Sequence, residues 1–179
     1  MSRTVVGLLV GCAVLLAGCG GGGGEQAGDH PGSPTGTSQS PSAPGPFFGE
    51  CGSVTDAEVA AAFGVPGFGT VVRNSVGCEW QLSAQDAHAS PHVSFTWYRG
   101  SPIGRERAGS ALVGRPAIDI EIGGRPGFEA ASSEWLCELG VQFGDDFVHW
   151  SIAYADGVPA AEPCDVGRRL AELTVARAR

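Results

Sequence analysis

From position 78 onward, apolar and polar residues trade places in short runs with a period of two. Cys78, Trp80 and Leu82 fall on one side of a strand, and Glu79 and Gln81 on the other. Val93, Phe95 and Trp97 repeat the pattern, and Ile118, Ile120 and Ile122 set it against Asp119 and Glu121. Trp135, Cys137, Leu139, Val141 and Phe143 alternate with Glu138 and Gln142; Val148, Trp150, Ile152 and Tyr154 alternate with His149 and Ser151. Strict alternation marks a sheet with one face on a core and the other toward water. Gly144-Asp145-Asp146, between the last two runs, reads as a hairpin turn.

The period changes at both ends of this region. Thr55-Asp56-Ala57-Glu58 is a capping box, and Gly64 and Pro66 are stop signals, so the spacing predicts a helix over 55–63. Pro163 suits a first helical position. After it Val166, Leu170, Leu173 and Val175 recur near helical spacing, with Arg168, Arg169, Arg177 and Arg179 off that stripe. The segment Pro102 to Leu112 also reads as a short helix. The fold class that follows is α+β. An antiparallel sheet of five or six strands carries the N- and C-terminal helices on one face.

Before the globular region the pattern is different. Arg3 precedes an uncharged apolar run from Val5 to Leu16, which is the layout of an export signal and too short to span a bilayer. Leu16-Ala17-Gly18-Cys19 resembles the lipobox of bacterial lipoproteins. The resemblance implies cleavage after Gly18 and a diacylglycerol thioether on Cys19, further acylated to make a stable anchor. Cys12 lies in the apolar run and would leave with it. Residues 20–46 hold no aromatic or branched aliphatic side chain, so they cannot bury enough surface to order themselves. As a flexible coil such a stretch reaches roughly 30 Å. The expected organisation is a signal peptide over 1–18, a lipidated cysteine and tether over 19–46, and one domain over 47–179.

The chain has 11 basic and 19 acidic residues, a formal charge of −8 at pH 7. An acidic domain is a poor partner for nucleic acid, which needs clustered cations. All eleven basic residues are arginine. The absence of lysine excludes a P-loop, a lysine Schiff base and the Ser-x-x-Lys machinery of penicillin-binding proteins.

Four cysteines remain after the signal: Cys51, Cys78, Cys137 and Cys164. In an exported domain they imply two disulfides, with three possible connectivities. Local pairs, Cys51 with Cys78 and Cys137 with Cys164, would each staple a helix to the sheet. Crossed pairs would close longer loops, and loop entropy does not choose between them. The spacing does not suit a zinc site. Cys51-Gly52-Ser53-Val54-Thr55-Asp56-Ala57-Glu58-Val59, then Gly77-Cys78-Glu79-Trp80, then a late Cys164 at the last helix, resemble a family of actinobacterial lipoproteins of unknown function. The resemblance runs from about Phe47 to Val175. It implies a tethered, disulfide-bonded envelope domain and carries over no catalytic residue.

Candidate chemistry is sparse. No Gly-x-Ser-x-Gly and no His-Glu-x-x-His is present. His30 falls in the tether and His88 in a loop. His92 and His149 fall on polar strand faces, where a solvated or hydrogen-bonded imidazole is expected. Asp145 and Asp146 are explained by the turn rather than by calcium. Gly114-Arg115-Pro116 and Gly124-Arg125-Pro126 repeat a tripeptide around one strand, so Arg115 and Arg125 are candidates to meet an anionic or carboxylate partner. The expected function is a binding or interaction module, anchored to the outer face of the cell membrane. It would take an envelope protein or a small ligand, without catalytic residues, metal or cofactor. The alternative is an envelope hydrolase whose groups meet only in the fold.

Overall fold

The computed structural model describes residues 45–82, 91–155 and 161–179. The expected signal peptide, Cys12, Cys19, His30, His88 and the tether up to Pro44 lie outside the described residues. Among the described residues no helix is long and apolar enough to cross a membrane.

The elements are α1 (Asp56–Phe63), β1 (Thr70–Arg73), β2 (Gly77–Gln81), β3 (His92–Tyr98), α2 (Ile103–Leu112), β4 (Ala117–Ile122), β5 (Arg125–Ser132), β6 (Leu136–Phe143), β7 (Asp146–Ala153) and α3 (Pro163–Arg177). The strands form one antiparallel sheet of seven, in the order β1-β2-β3-β7-β6-β5-β4. The α+β class is as the alternation indicated, and the count exceeds five or six because of β1 and β5. Strand β1 is four residues long, and β5 contains Pro126 and Gly127, which argue locally against a strand. Tertiary pairing overrides that: β5 is hydrogen-bonded to β4 and β6 on its two sides.

The turns follow local chemistry. Ile122 and Arg125 face each other, so β4 and β5 are joined by Gly123 and Gly124 alone, with φ of 57° and 77°. Two consecutive positive φ values are what a tight hairpin matching the sheet twist demands, and glycine meets them without strain. Gly144-Asp145 is likewise a two-residue connection, from β6 to β7, with a positive φ only at Gly144, 64°, and Asp146 starting β7. Trp135, expected at the start of a strand, lies in the preceding turn and is exposed.

Helices α1 and α3 cover one face. The capping box is formed: the Thr55 side chain accepts from the Glu58 N–H, and Glu58 accepts from the Thr55 N–H at 2.9 Å. Val59 and Phe63 from α1 and Val166, Leu170 and Ala171 from α3 meet Trp80, Phe95, Leu139, Val141, Trp150 and Ile152 in one core. Trp80 and Trp150 stack with centroids 5.9 Å apart. Two aromatic side chains of this size dominate what the core withdraws from water. The disulfides are Cys51–Cys78 and Cys137–Cys164, the local pairs, each spanning 27 positions. The first ties the turn before α1 to β2; the second ties the start of α3 to β6. Phe47 exchanges both backbone hydrogen bonds with Arg179, clasping the two ends of the body together.

Candidate functional site

Strict alternation predicted a bare polar face on the sheet. The structure corrects this: α2 lies across that face and makes a second, thinner layer. Residues at the same register share a face. Thr96, His149, Gly140 and Phe128 form one row across β3, β7, β6 and β5, and Tyr98 and Phe147 form the next. A side chain at Gly140 would strike the Phe128 ring at 2.5 Å and stand 3.2 Å from Ile103 of α2. Glycine is therefore what lets Phe128 and α2 settle on β6. Phe128 and Phe147 are fully buried here, and Tyr98 stacks on Phe147 with centroids 4.4 Å apart.

His149 is the main departure from expectation. It is buried, with its ring 6.3 Å from Tyr98 and from Phe128, and its Nε2 has no hydrogen-bond partner. Burial pushes its imidazole below the ordinary range, while the carboxylates of Glu138 and Glu106 pull it back and Arg115 pushes it down. The same burial raises the Tyr98 phenol. An orphaned buried ring nitrogen is costly to keep and marks the place as more than a solvated strand face.

Beside it, Glu138 collects three donors. Arg115 reaches one carboxylate oxygen through Nε at 3.0 Å and through its terminal nitrogen at 2.7 Å, and Ser110 Oγ donates to the same oxygen at 3.0 Å. Arg115 is thus committed to an internal pair, with side chains only 21% and 14% exposed, rather than offered to a partner. Arg125 lays its guanidinium over the Phe143 ring at 4.1 Å. The two repeated tripeptides do different work, and neither arginine is a free presented cation. Ser110 donates to Glu138 rather than to His149, so these three groups do not form the hydroxyl–imidazole–acid relay of a hydrolase. His92 opens β3. Asp146 accepts from the Gly100 N–H at 2.9 Å and from Trp97 Nε1–H at 3.3 Å, holding the chain that leads into α2.

Between α2 and the sheet a cleft of about 160 Å³ is lined by Ile103, Arg107, Asp119, Pro126, Phe128 and Gln142. Its floor is apolar, and the Arg107–Asp119 ion pair stands at its rim. Helix α2 holds on by few contacts. It contains Gly104 and Gly109, has no side-chain cap on its N-terminus, and buries only Ser110. Each interior glycine costs about 1 kcal/mol relative to alanine. At the C-terminal end of α2, Leu112 is 88% exposed, and beyond the helix Val113 and Ile118 are also exposed. Sequence reasoning missed Ile103, Arg107, Ser110, Asp119, Phe128 and Glu138. Only the place of Glu138 and His149 off the apolar stripes of their own strands hinted that they share a face.

Among the described residues one group has metal-ligand atoms close together: Glu129, Cys137 and Cys164, all within 4.8 Å of one another. Both sulfurs are in the disulfide, so they offer no thiolate to a cation.

Comparison with known proteins gives the chain a family. Residues 14–177 match a family described as protein of unknown function (DUF3558). The chain is 42% identical over 140 residues to "Putative lipoprotein LprB" of Mycobacterium bovis, covering 75% of this chain and 74% of that one. It is 40% identical over 140 residues to the protein of the same name in Mycobacterium leprae, covering 75% and 73%. No solved structure matches. The chain belongs to this DUF3558 family of actinobacterial lipoproteins.

Proposed function

We propose that the protein is a binding module held on the outer face of the cell membrane by lipid on Cys19, and that α2 is the movable cover of its binding site. The observation that carries the reading is the cleft under a thinly attached helix, on a face that the sheet's own pattern would leave to water. A cleft of about 160 Å³ matches a single ring or short branched alkyl group, since an engineered apolar cavity of about 150 Å³ takes benzene. The ligand is then a small molecule or an envelope protein that inserts one apolar group. Arg107 and Asp119 are placed to bond its polar surroundings. The buried His149, whose Nε2 has no hydrogen-bond partner, supports the same face, because opening α2 would give that nitrogen one.

The test places a photo-crosslinking amino acid at Arg107 in one full-length variant and at Glu172, exposed on α3, in another. Irradiation of intact cells should yield a discrete adduct from the Arg107 position and none from Glu172. Equal adducts from both positions, or none from Arg107, would remove the far face as the site.

A further inference from the structure

A different part of the molecule carries an inference that goes beyond binding. Cys164 is the second residue of α3, a helix of 15 residues, and it is partly exposed, whereas its partner Cys137 is fully buried in β6. Next to the bond lies Glu129 of β5, on the same face as Leu139 opposite it. Its side chain is 7% exposed, Arg168 holds one carboxylate oxygen at 2.7 Å, and the other is buried with no partner. A carboxylate oxygen and both sulfurs lie within 4.8 Å of one another. A buried acid in an apolar interface is expensive. A structural staple needs none, and among the described residues the Cys51–Cys78 pair, buried at both ends, is in no such group.

We infer that Cys137–Cys164 is an exchangeable disulfide, opened at Cys164 by the thiolate of an exported protein dithiol and closed again with Glu129 as the proton acceptor. Cys164, the more exposed of the two residues, is the one at the helix N-terminus, where backbone N–H groups and the dipole favour a thiolate, and Arg168 stands one turn on. Asp165 and Glu162 of the same helix end oppose negative charge there, and burial together with these carboxylates holds the nearby Tyr154 phenol in its neutral form, its pKa raised to about 12. The substrate thiolate attacks Cys164 Sγ. The bond to Cys137 breaks, its electron pair goes to Cys137 Sγ, and that sulfur takes up a proton. The second thiolate of the dithiol then attacks the substrate sulfur of the mixed disulfide and releases Cys164. The dithiol is oxidised by two electrons, the protein disulfide is reduced, and two protons pass from substrate thiols to Cys137 and Cys164. In closure from the mixed disulfide, the Cys137 thiol gives its proton to the Glu129 carboxylate as its sulfur attacks Cys164 Sγ; the bond from Cys164 to the substrate sulfur breaks, and that sulfur leaves with the electron pair as a thiolate. Because one atom must accept that proton inside the core, Glu129 has a task that no solvent molecule need perform.

The test uses the oxidised full chain under native conditions, with glutathione and dithiothreitol as probes, acid quenching, alkylation and peptide mapping. Cys137–Cys164 should open at least tenfold faster than Cys51–Cys78, and glutathione should be found on Cys164. Closure from the glutathione adduct should slow about tenfold in Glu129→Gln and become steeply dependent on pH, with most of the rate kept in Glu129→Asp. Arg168→Met, which breaks the same ion pair but leaves the carboxyl, should keep a shallow pH profile. The inference is overturned if both disulfides open together at the rate of global unfolding, if glutathione lands on Cys137, or if Arg168→Met reproduces the Glu129→Gln profile.

Discussion

Replacing Arg115 with alanine separates an arginine that builds the fold from one that waits for a partner. The variant strips Glu138 of two of its three hydrogen bonds and leaves it with Ser110 at 3.0 Å. Glu138 is only 14% exposed, so water cannot fully replace the guanidinium. Removing one partner of a fully buried pair costs about 3–5 kcal/mol. The residual exposure and the remaining Ser110 bond bring the expected loss to about 2 kcal/mol. At about 3–5 °C per kcal/mol for a domain of this size, the melting temperature should fall by about 6–10 °C. Adding Glu138→Gln should recover part of the loss, because a neutral amide is cheaper to leave under α2. Arg125→Ala, which loses only a stack on Phe143, should cost about 0.5–1 kcal/mol. Thermal unfolding followed by circular dichroism reads all three. If Arg115→Ala melts within about 1 °C of the parent, the pair contributes nothing to the fold. Arg115 is then free to meet a ligand, as the repeated tripeptide suggested.

Gly140→Ala should destabilise by about 1–3 kcal/mol through overpacking, because the new methyl would press on Phe128 and Ile103; chemical denaturation measures it. The Arg177 guanidinium and the Thr55 cap hold the Glu58 carboxyl down to about 2 from its ordinary 4.5. A depressed acid stabilises above its unfolded pKa and loses that contribution as pH falls through the folded one. Stability of the parent should therefore drop between about pH 5 and about pH 2 more steeply than that of Glu58→Gln, as pH-dependent unfolding will read. Cys51→Ala with Cys78→Ala should cost about 3–4 kcal/mol, the loop-closure value for a 27-residue separation. Cys19→Ala should move the protein from the membrane to the soluble fraction on cell fractionation.

Much of the α3 side was legible because it obeys simple periodicity. Trp80, Leu139, Trp150 and Ile152 sit where alternation put them, and the capping box at Thr55 and Glu58 starts α1 as expected. Helix α2 was foreseen as a short helix but not as a cover. Its residues carry no apolar stripe to announce a buried face, since one isoleucine and one buried serine do the docking. His149 was misjudged for that reason: a polar residue on the polar side of a strand is solvated only if nothing lies over it. Glu129 escaped notice because Pro126 and Gly127 disguise β5 as a loop, and without the strand its neighbours Leu139 and Cys137 cannot be inferred.

The claim that α2 is a separate cover over the far face is tested most directly by native-state amide hydrogen exchange on the intact, oxidised protein. The amides of residues 103–112 should exchange by a local opening several kcal/mol below the global value, about 3 kcal/mol or more, while those of β6 and β7 exchange only on global unfolding. Exchange of α2 at the same free energy as β7 would mean that the helix is an inseparable part of the core, and the account of a covered binding site would be contradicted.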